Sequence, residues 1–166
     1  MSYHIYTTRG IALSERPRRE ADRIYTIMTR DLGLVRVVAS GVRKETSKLR
    51  GALEPFVLSK VSLVRGKEHW RATSAECIRS ISPKPAIARP LILLEKLVQG
   101  EAPHPELFDA VENALLSPEP HDEMFEIRLV SRILFHLGYL KEDDLTLGKK
   151  SLVKAINEGL QASHLT

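Results

Sequence analysis

The sequence is poor in the residues that build disulfide frameworks, metal centres and membrane spans. Cysteine occurs once in 166 residues, at Cys77, which excludes a disulfide framework and a four-thiolate zinc site. No apolar run approaches the roughly 20 residues that a helix needs to cross a bilayer. The first residues also lack the charged start and long apolar run of a signal peptide. We therefore expect a cytoplasmic protein without a metal ion or another cofactor.

Patterns of catalytic residues are also missing. None of the six histidines has the spacing of a metal-binding motif, and no glycine-rich phosphate loop occurs. The run from His121 to Glu123 contains two acids, but carboxylates at the positive end of a helix dipole explain them without a metal. We predict no catalytic residues and expect that the protein is not an enzyme.

The net charge of +4 conceals a sharp division between the two halves. Residues 1–84 hold 17 Lys and Arg against 8 Asp and Glu, whereas residues 85–166 hold 8 against 13. The balances are thus +9 and −5, which together give +4. A solvated surface normally mixes both signs more evenly. Such an asymmetry favours a nucleic-acid-binding module joined to a second part.

The first half has the pattern of a small all-β domain. Alternating apolar residues and short polar turns predict five strands, at 3–14, 22–29, 34–40, 53–64 and 68–80. An antiparallel sheet of this size must hide its edges, and a five-stranded oligonucleotide-binding (OB) barrel fits the strand count. An SH3-like barrel is the alternative, because periodicity does not separate the two. We expect an OB-fold domain at residues 1–82.

Two prolines in Ser82–Pro85 end the sheet pattern, and the spacing then becomes helical. Four helices are expected, near 86–100, 105–116, 120–137 and 148–160, of which the third is apolar over the widest arc and should be central. The fold class is therefore α+β, with a helical domain at residues 83–166.

Positive residues of the first half concentrate in turns and in one long connection, Gly41–Pro55, which carries four cations. A polymer of phosphates rewards several such contacts at once. In an OB barrel, oligonucleotides cross strands two and three between the first and fourth turns. The predicted DNA contacts are Arg16, Arg18, Arg19, Arg36, Arg43, Lys44, Lys48, Arg50, Arg65 and Lys67. Singly, each is more simply a solvated side chain, so the prediction depends on the group.

Aromatic residues are scarce on the expected binding face. Tyr25 is the obvious candidate to stack on a base, and Trp70 fits either a core position or a stacking platform. Binding should then depend mainly on neutralising phosphates, with little recognition of individual bases.

Several segments together resemble one known family. In order, Thr8–Leu13, Glu20–Arg23, Gly33–Arg36, Ala39–Arg43 and Leu49–Phe56 resemble the amino-terminal domain of the RecO DNA repair family, and Phe125–Leu129 and Leu137–Leu140 resemble its central helix. The resemblance implies a bacterial, nucleoid-associated recombination mediator with an OB-fold domain and a helical domain. It would bind single- and double-stranded DNA, anneal complementary strands and, with RecR, load RecA onto DNA coated by single-stranded-DNA-binding protein (SSB).

The sequence departs from the family after Leu140. Many members continue with a four-cysteine zinc module, whereas here Lys141–Asp144 follows and no cysteine does. We therefore expect a short form without zinc and without most of the later helices. In the family the acidic SSB tail docks on the helical domain, and Arg128 and Arg132, one turn apart, are the candidates to bind it here.

Two other functional classes fit the same residues. The basic barrel of a protein–protein adaptor could bind an acidic subunit, with DNA contact incidental. An RNA-binding barrel is equally compatible, because recognition of the 2′-hydroxyl leaves no sequence signature.

Overall fold

The computed structural model describes residues 3–164 and contains five strands, four α-helices and one short 3₁₀ helix at Glu142–Thr146. The strands are β1 (Ile5–Pro17), β2 (Arg23–Thr29), β3 (Gly33–Ala39), β4 (Val57–Arg65) and β5 (Trp70–Ser80). The helices are α1 (Pro85–Leu97), α2 (Pro105–Leu116), α3 (Glu123–His136) and α4 (Lys149–Ala162). The predicted α+β class, with five strands before four helices, is confirmed.

The chain divides into two compact units. The first runs through Ser82 and also includes Gln99–His104; the second comprises Pro83–Val98 and continues from Pro105. The segment Gln99–His104, which sequence analysis placed with the helices, thus belongs to the unit that holds the strands.

The five strands close into a barrel in the order β1-β2-β3-β5-β4. β1 is long enough to pair with β2 through its second half and with β4 through its first half, which closes the sheet. Four pairings are antiparallel, but β3 and β5 run parallel, with Val37 beside Trp70 and Val38 beside Arg71. The sequence predicted an antiparallel sheet. Five strands cannot alternate in direction around a closed barrel, so one neighbouring pair must be parallel, and here it is β3 and β5. This arrangement agrees with an OB fold.

Alternation along the strands separates a barrel interior from an outer face. Val35, Val37 and Ala39 of β3 are buried in the barrel core, whereas Arg36 between them is exposed. On β2 the same core receives Tyr25 and Ile27. A period of two along a closed sheet produces this division, since successive side chains point to opposite faces.

The long connection between β3 and β4 is anchored to the barrel. Its Val42 and Leu53 are buried in the barrel core, and Leu49 packs against the same cluster. The fourth strand begins at Val57 rather than near Leu53, because Leu53 fills the core from a turn. These apolar anchors hold the backbone of the connection beside the barrel while its cations stay exposed.

Within the barrel unit, Gln99–His104 lies against the start of β3. The amide of Leu34 donates a hydrogen bond to the carbonyl of Gly100 (3.3 Å). Gly33 has a φ of +76°, and a Cβ built on it would lie 2.5 Å from the carbonyl oxygen of Ala102. Only glycine therefore fits this close approach of two backbones.

In the helical unit, α3 packs against α1, α2 and α4, as expected of the helix with the widest apolar arc. Asp122 caps its first turn by accepting a hydrogen bond from the amide of Phe125 (2.9 Å). None of the helices in the part of the chain described is long and apolar enough to cross a membrane.

Candidate nucleic-acid interface

Two turns of the barrel come together around a polar groove of about 490 Å³. The turn from β1 to β2 contributes Arg18 and Arg19, and the turn from β4 to β5 contributes Lys67. All three side chains are exposed. The structure thus brings together cations that lie almost fifty residues apart in sequence. We call this site the basic groove.

The floor of the basic groove is the outer face of β3, with Val38 and Ser40. Arg36 lies on the same face of β3, two residues before Val38, and is exposed. This face of strands two and three, between the first and fourth turns, is where OB barrels bind oligonucleotides.

Two residues of the basic groove, His69 and Arg71, were not among the DNA contacts predicted from the sequence. His69 lies in the turn before β5, and Arg71 lies at the beginning of β5, where the parallel pairing sets it beside Val38. A parallel contact between β3 and β5 was not foreseen, so nothing placed this arginine near the groove. The alternation Arg71-Ala72-Thr73 would have marked it as outward-facing but not as a neighbour of β3.

The acids beside the basic groove are Asp22 and Glu68. Asp22 accepts a hydrogen bond from the backbone amide of Gly41 (2.8 Å), and Arg43 donates its amide to the carbonyl of Ala21 (3.1 Å). These bonds tie the start of the long connection to the β1–β2 turn. Asp22 therefore holds the start of the long connection in place beside the groove arginines.

The long connection's cations divide between a second pocket and open surface. Arg43 and Arg50, near its two ends, line a pocket of about 500 Å³ together with Glu15, Arg23 and Glu54. Lys44 and Lys48 are exposed, and among the described residues neither has a side-chain partner. Arg16 is exposed near the end of β1, opposite Ile24.

Arg65 has a different environment from the other predicted contacts. Its guanidinium lies 4.9 Å from the centre of the Trp70 ring and forms an ion pair with Glu101. Trp70 is 6% exposed and donates its indole N–H to the other oxygen of Glu101 (3.1 Å). Of the two roles open to Trp70, core packing therefore applies, and the charge of Arg65 is balanced by Glu101.

Tyr25 is not a stacking platform. It is only 2% exposed and belongs to the barrel core, so its ring has no free face for a base. Burial raises the pKa of Tyr25 to about 12, with the nearby charge of Glu15 adding to the shift. Glu15 itself forms an ion pair with Arg23.

The helical unit contains its own pocket, of about 270 Å³, between α2 and α3. Its wall combines the apolar side chains of Phe125 and Leu129 with both predicted arginines, Arg128 and Arg132. Arg128 pairs with Glu119 (3.1 Å), whereas Arg132 has no side-chain partner among residues 3–164. The structure therefore places the two arginines on one apolar depression.

No metal site accompanies these surfaces in the described part of the chain. Residues 3–164 include no group of three His, Cys, Asp or Glu side chains that could hold an ion. Cys77 is exposed on β5.

Comparison with known proteins concerns mainly the barrel. The family model described as "Recombination protein O N terminal" matches residues 1–81. A DNA repair protein RecO from Synechococcus sp. is 51% identical over 72 residues, which is 43% of this chain and 25% of the relative.

Two further relatives extend the match into the helices. The DNA repair protein RecO of Cyanothece sp. is 33% identical over 139 residues, covering 80% of this chain and 47% of the relative. That of Gloeothece citriformis is 34% identical over 122 residues, covering 74% of this chain and 40% of the relative. The chain thus spans at most about half the length of these curated relatives. The amino-terminal barrel belongs to the RecO family, and similarity to RecO proteins extends over much of the helical half.

Proposed function

We propose that the protein acts in DNA repair and recombination by binding single- and double-stranded DNA along the basic groove, without catalysing a reaction. The observation that carries this proposal is the convergence of Arg18, Arg19, Lys67 and Arg71 on one side of the barrel. A cluster of exposed cations beside a polar floor suits a phosphate backbone, whose charges repeat and whose counterions are released on binding. The names of the relatives point the same way.

The proposed DNA path continues from the basic groove onto the long connection. Arg43 is tied by its backbone to the β1–β2 turn that carries Arg18 and Arg19. Lys44, Lys48 and Arg50 extend the positive surface, and Arg16 and Arg36 add to it from the strands. Because Arg65 is paired with Glu101, we assign it to the support of Trp70 rather than to phosphate binding.

Strand annealing follows from the same electrostatics. Two complementary strands repel each other through their phosphates, and cations that neutralise both backbones lower that repulsion. Contacts to phosphates leave most base edges free to pair. We propose that the barrel unit supplies these contacts and that, with RecR, the protein helps to load RecA onto SSB-coated strands.

The test of DNA binding is the affinity for a fluorescently labelled single-stranded oligonucleotide. Each phosphate contact contributes about 0.7 to the slope of log affinity against log salt, so four lost contacts should weaken binding on the order of 100-fold near 0.1 M salt. We expect this loss for the variant Arg18→Ala, Arg19→Ala, Lys67→Ala and Arg71→Ala.

A matched control replaces three exposed cations of the helical unit, Arg89, Arg128 and Lys149, each of which pairs with a carboxylate. This variant should bind the oligonucleotide as the unaltered chain does. Equal affinities for all three proteins would overturn the proposal.

An adaptor function is distinguished by the ligand. An acidic peptide of the same charge as the oligonucleotide should bind the basic groove far more weakly, because its carboxylates do not follow the spacing of a phosphate backbone. Tighter binding of the peptide at two salt concentrations would favour the adaptor instead. Ribose and deoxyribose oligonucleotides of one sequence, compared side by side, test the RNA-binding alternative.

We propose the pocket between α2 and α3 as a second site, for the acidic tail of SSB. Phe125 and Leu129 line the base of this pocket, and Arg132 and Arg128 at its edge offer cations for the carboxylates of the tail. Arg132→Ala should lower the affinity for a tail peptide more than Arg128→Ala does, because Glu119 already balances the charge of Arg128. Titration of labelled tail peptide measures both; unchanged binding in the two variants would exclude this pocket.

A further inference from the structure

One end of the barrel has a row of aromatic rings that the proposed phosphate contacts do not use. The ring of Tyr6 packs edge-on against Trp70 (5.3 Å between centroids), and His4 packs edge-on against Tyr6 (4.3 Å). Arg65 lies over the same Trp70. We call His4, Tyr6, Trp70 and Arg65 the aromatic rim.

Strand register explains why these side chains meet. Tyr6 is paired with Leu63, a core residue of β4, so its side chain is on the interior side of the barrel. Arg65 follows two residues after Leu63 and is paired with Trp70. Interior-facing positions at the end of a barrel are only partly covered, and Tyr6 is accordingly 39% exposed while Trp70 beneath it is buried.

The β4–β5 turn connects the aromatic rim to the basic groove. Arg65 and Trp70, at the two ends of this turn, belong to the rim, whereas Lys67 and His69 between them line the groove. Arg65 and His69 are four residues apart, so at most about 14 Å of chain separates the two surfaces. A strand leaving the groove past Lys67 would therefore reach the rim.

We propose that the aromatic rim binds one unpaired base of a single strand whose phosphates lie in the basic groove, with Tyr6 as the stacking ring and His4 at its edge. This proposal rests on the proposed DNA-binding function. It adds a contact that distinguishes a strand with bases from a strand without them. A base has a flat π-face that stacks on tyrosine, and such a contact contributes about 1–3 kcal/mol by alanine substitution.

Several features favour a nucleobase over another occupant. Two rings of the rim, His4 and Tyr6, are exposed, and the cation beside them is held in place by Glu101 rather than free to extend. Glu68 on the connecting turn opposes an acidic peptide there, whereas a base carries no charge. Lys67, an exposed cation on the connecting turn, is positioned to take the phosphate of the adjoining nucleotide.

The experiment compares two single strands of equal length and charge, oligodeoxythymidine and an abasic oligodeoxynucleotide. The unaltered chain should bind the abasic strand about 5- to 150-fold more weakly, which is the fold-change of one stacked base. Binding of both strands should show the same salt dependence, because both carry the same phosphates. Trp70 is the only tryptophan, so its fluorescence, measured on the same samples, should change with oligodeoxythymidine and not with the abasic strand.

Variants separate stacking from structure. Tyr6→Leu keeps an apolar side chain and should remove the preference for oligodeoxythymidine, while Tyr6→Phe keeps the ring and should retain it. The control is Ile5→Ala, since Ile5 is 56% exposed on the opposite face of the same strand. His4→Ala should reduce the preference partly.

The outcomes also separate this inference from the function on which it rests. If the unaltered chain binds both strands equally tightly, and with an undiminished salt slope, DNA binding stands and the aromatic rim is not a base site. If neither strand binds, the proposed function itself fails. Loss of preference in Tyr6→Phe as well as Tyr6→Leu would overturn ring stacking as the source of the preference, because Tyr6→Phe keeps the ring.

Discussion

The two units of the chain use their positive residues differently. In the helical unit, Arg89, Arg128 and Lys149 each form an ion pair with a glutamate, at 2.7 to 3.1 Å. In the barrel unit, the basic-groove arginines Arg18 and Arg19 have no side-chain partner among the described residues. Unpaired, exposed cations gathered in a groove remain available to a polyanion, whereas paired ones have already lost much of that capacity.

The barrel unit also shows the contrast internally. Two of its paired arginines, Arg23 and Arg65, lie beside buried aromatic residues, Tyr25 and Trp70. Other exposed cations lie on turns, on the connection from Gly41 to Pro55 and on the outer faces of strands, as Arg36 and Arg71 do. Net charge alone did not distinguish these two uses; ion pairing does.

The largest effect should follow from reversing the charge of the long connection. Arg43→Glu, Lys44→Glu, Lys48→Glu and Arg50→Glu together should lower the affinity for any DNA sequence by 100-fold or more, because four cations become four repulsive charges. Fluorescence anisotropy with two unrelated sequences measures this loss. Reversal of Arg89, Lys149 and Arg128 in the helical unit is the control; an equal loss there would erase the contrast between the units.

A smaller effect, on stability, is expected where two backbones of the barrel unit meet. Gly33→Ala places a Cβ 2.5 Å from the carbonyl oxygen of Ala102 and in a left-handed conformation, so we expect a loss of about 3 kcal/mol or more in the free energy of unfolding. Gly138 of the helical unit, also left-handed but without a neighbouring atom within 4 Å, should lose only about 1–2 kcal/mol as alanine. Urea denaturation compares the two, and equal losses would contradict the proposed close approach.

The buried hydroxyl of Tyr25 should make barrel stability depend on pH above 10. Its pKa is raised to about 12 by burial and by Glu15, with Glu54 adding to the rise and Arg23 opposing it. Because the folded pKa exceeds the unfolded value of about 10, the stabilisation is complete below pH 10 and is lost as the pH rises to 12. The loss should approach about 1.4 kcal/mol per pH unit across that window.

Tyr25→Phe should remove this dependence on pH, because the titrating hydroxyl is gone. Between pH 9 and pH 11 the denaturation midpoint should therefore fall less in the variant than in the unaltered chain. An identical decline in the variant would assign the alkaline loss to other groups.

The smallest effect is expected for the best-formed ion pair of the helical unit. Arg89 donates two hydrogen bonds to Glu126, both 2.7 Å, which also raises the pKa of Arg89. Arg89 is nevertheless exposed, so Arg89→Ala should reduce stability only slightly and leave DNA affinity unchanged. A marked fall in oligonucleotide affinity would mean that the helical unit carries DNA contacts as well.

Much of the fold was predictable from local pattern. Period-two alternation marked β2 and β3, and the prolines after Ser82 marked the change to helices. What local pattern could not supply were the contacts between residues distant in sequence. The parallel pairing that sets Arg71 beside Val38 and the return of Glu101 to Trp70 are examples.

The candidate site was predictable to a similar degree. The basic turns of Arg18, Arg19 and Lys67 could be placed because OB barrels use those turns, and the structure brings them together. The misplaced residues were aromatic or paired. Alternation along β2 puts Tyr25 on the same face as Arg23. Arg23 is half-exposed, whereas Tyr25 fills the core. Tyr6 was overlooked because its partner Trp70 lies over sixty residues away.

The most direct test of the central claim is the slope of log affinity against log salt for a single-stranded oligonucleotide. We expect that replacing Arg18, Arg19, Lys67 and Arg71 by alanine lowers the magnitude of this slope by roughly 3, at about 0.7 per lost phosphate contact. Replacing Arg89, Arg128 and Lys149 should leave it unchanged. Equal slopes for the unaltered chain and the basic-groove variant would contradict the account.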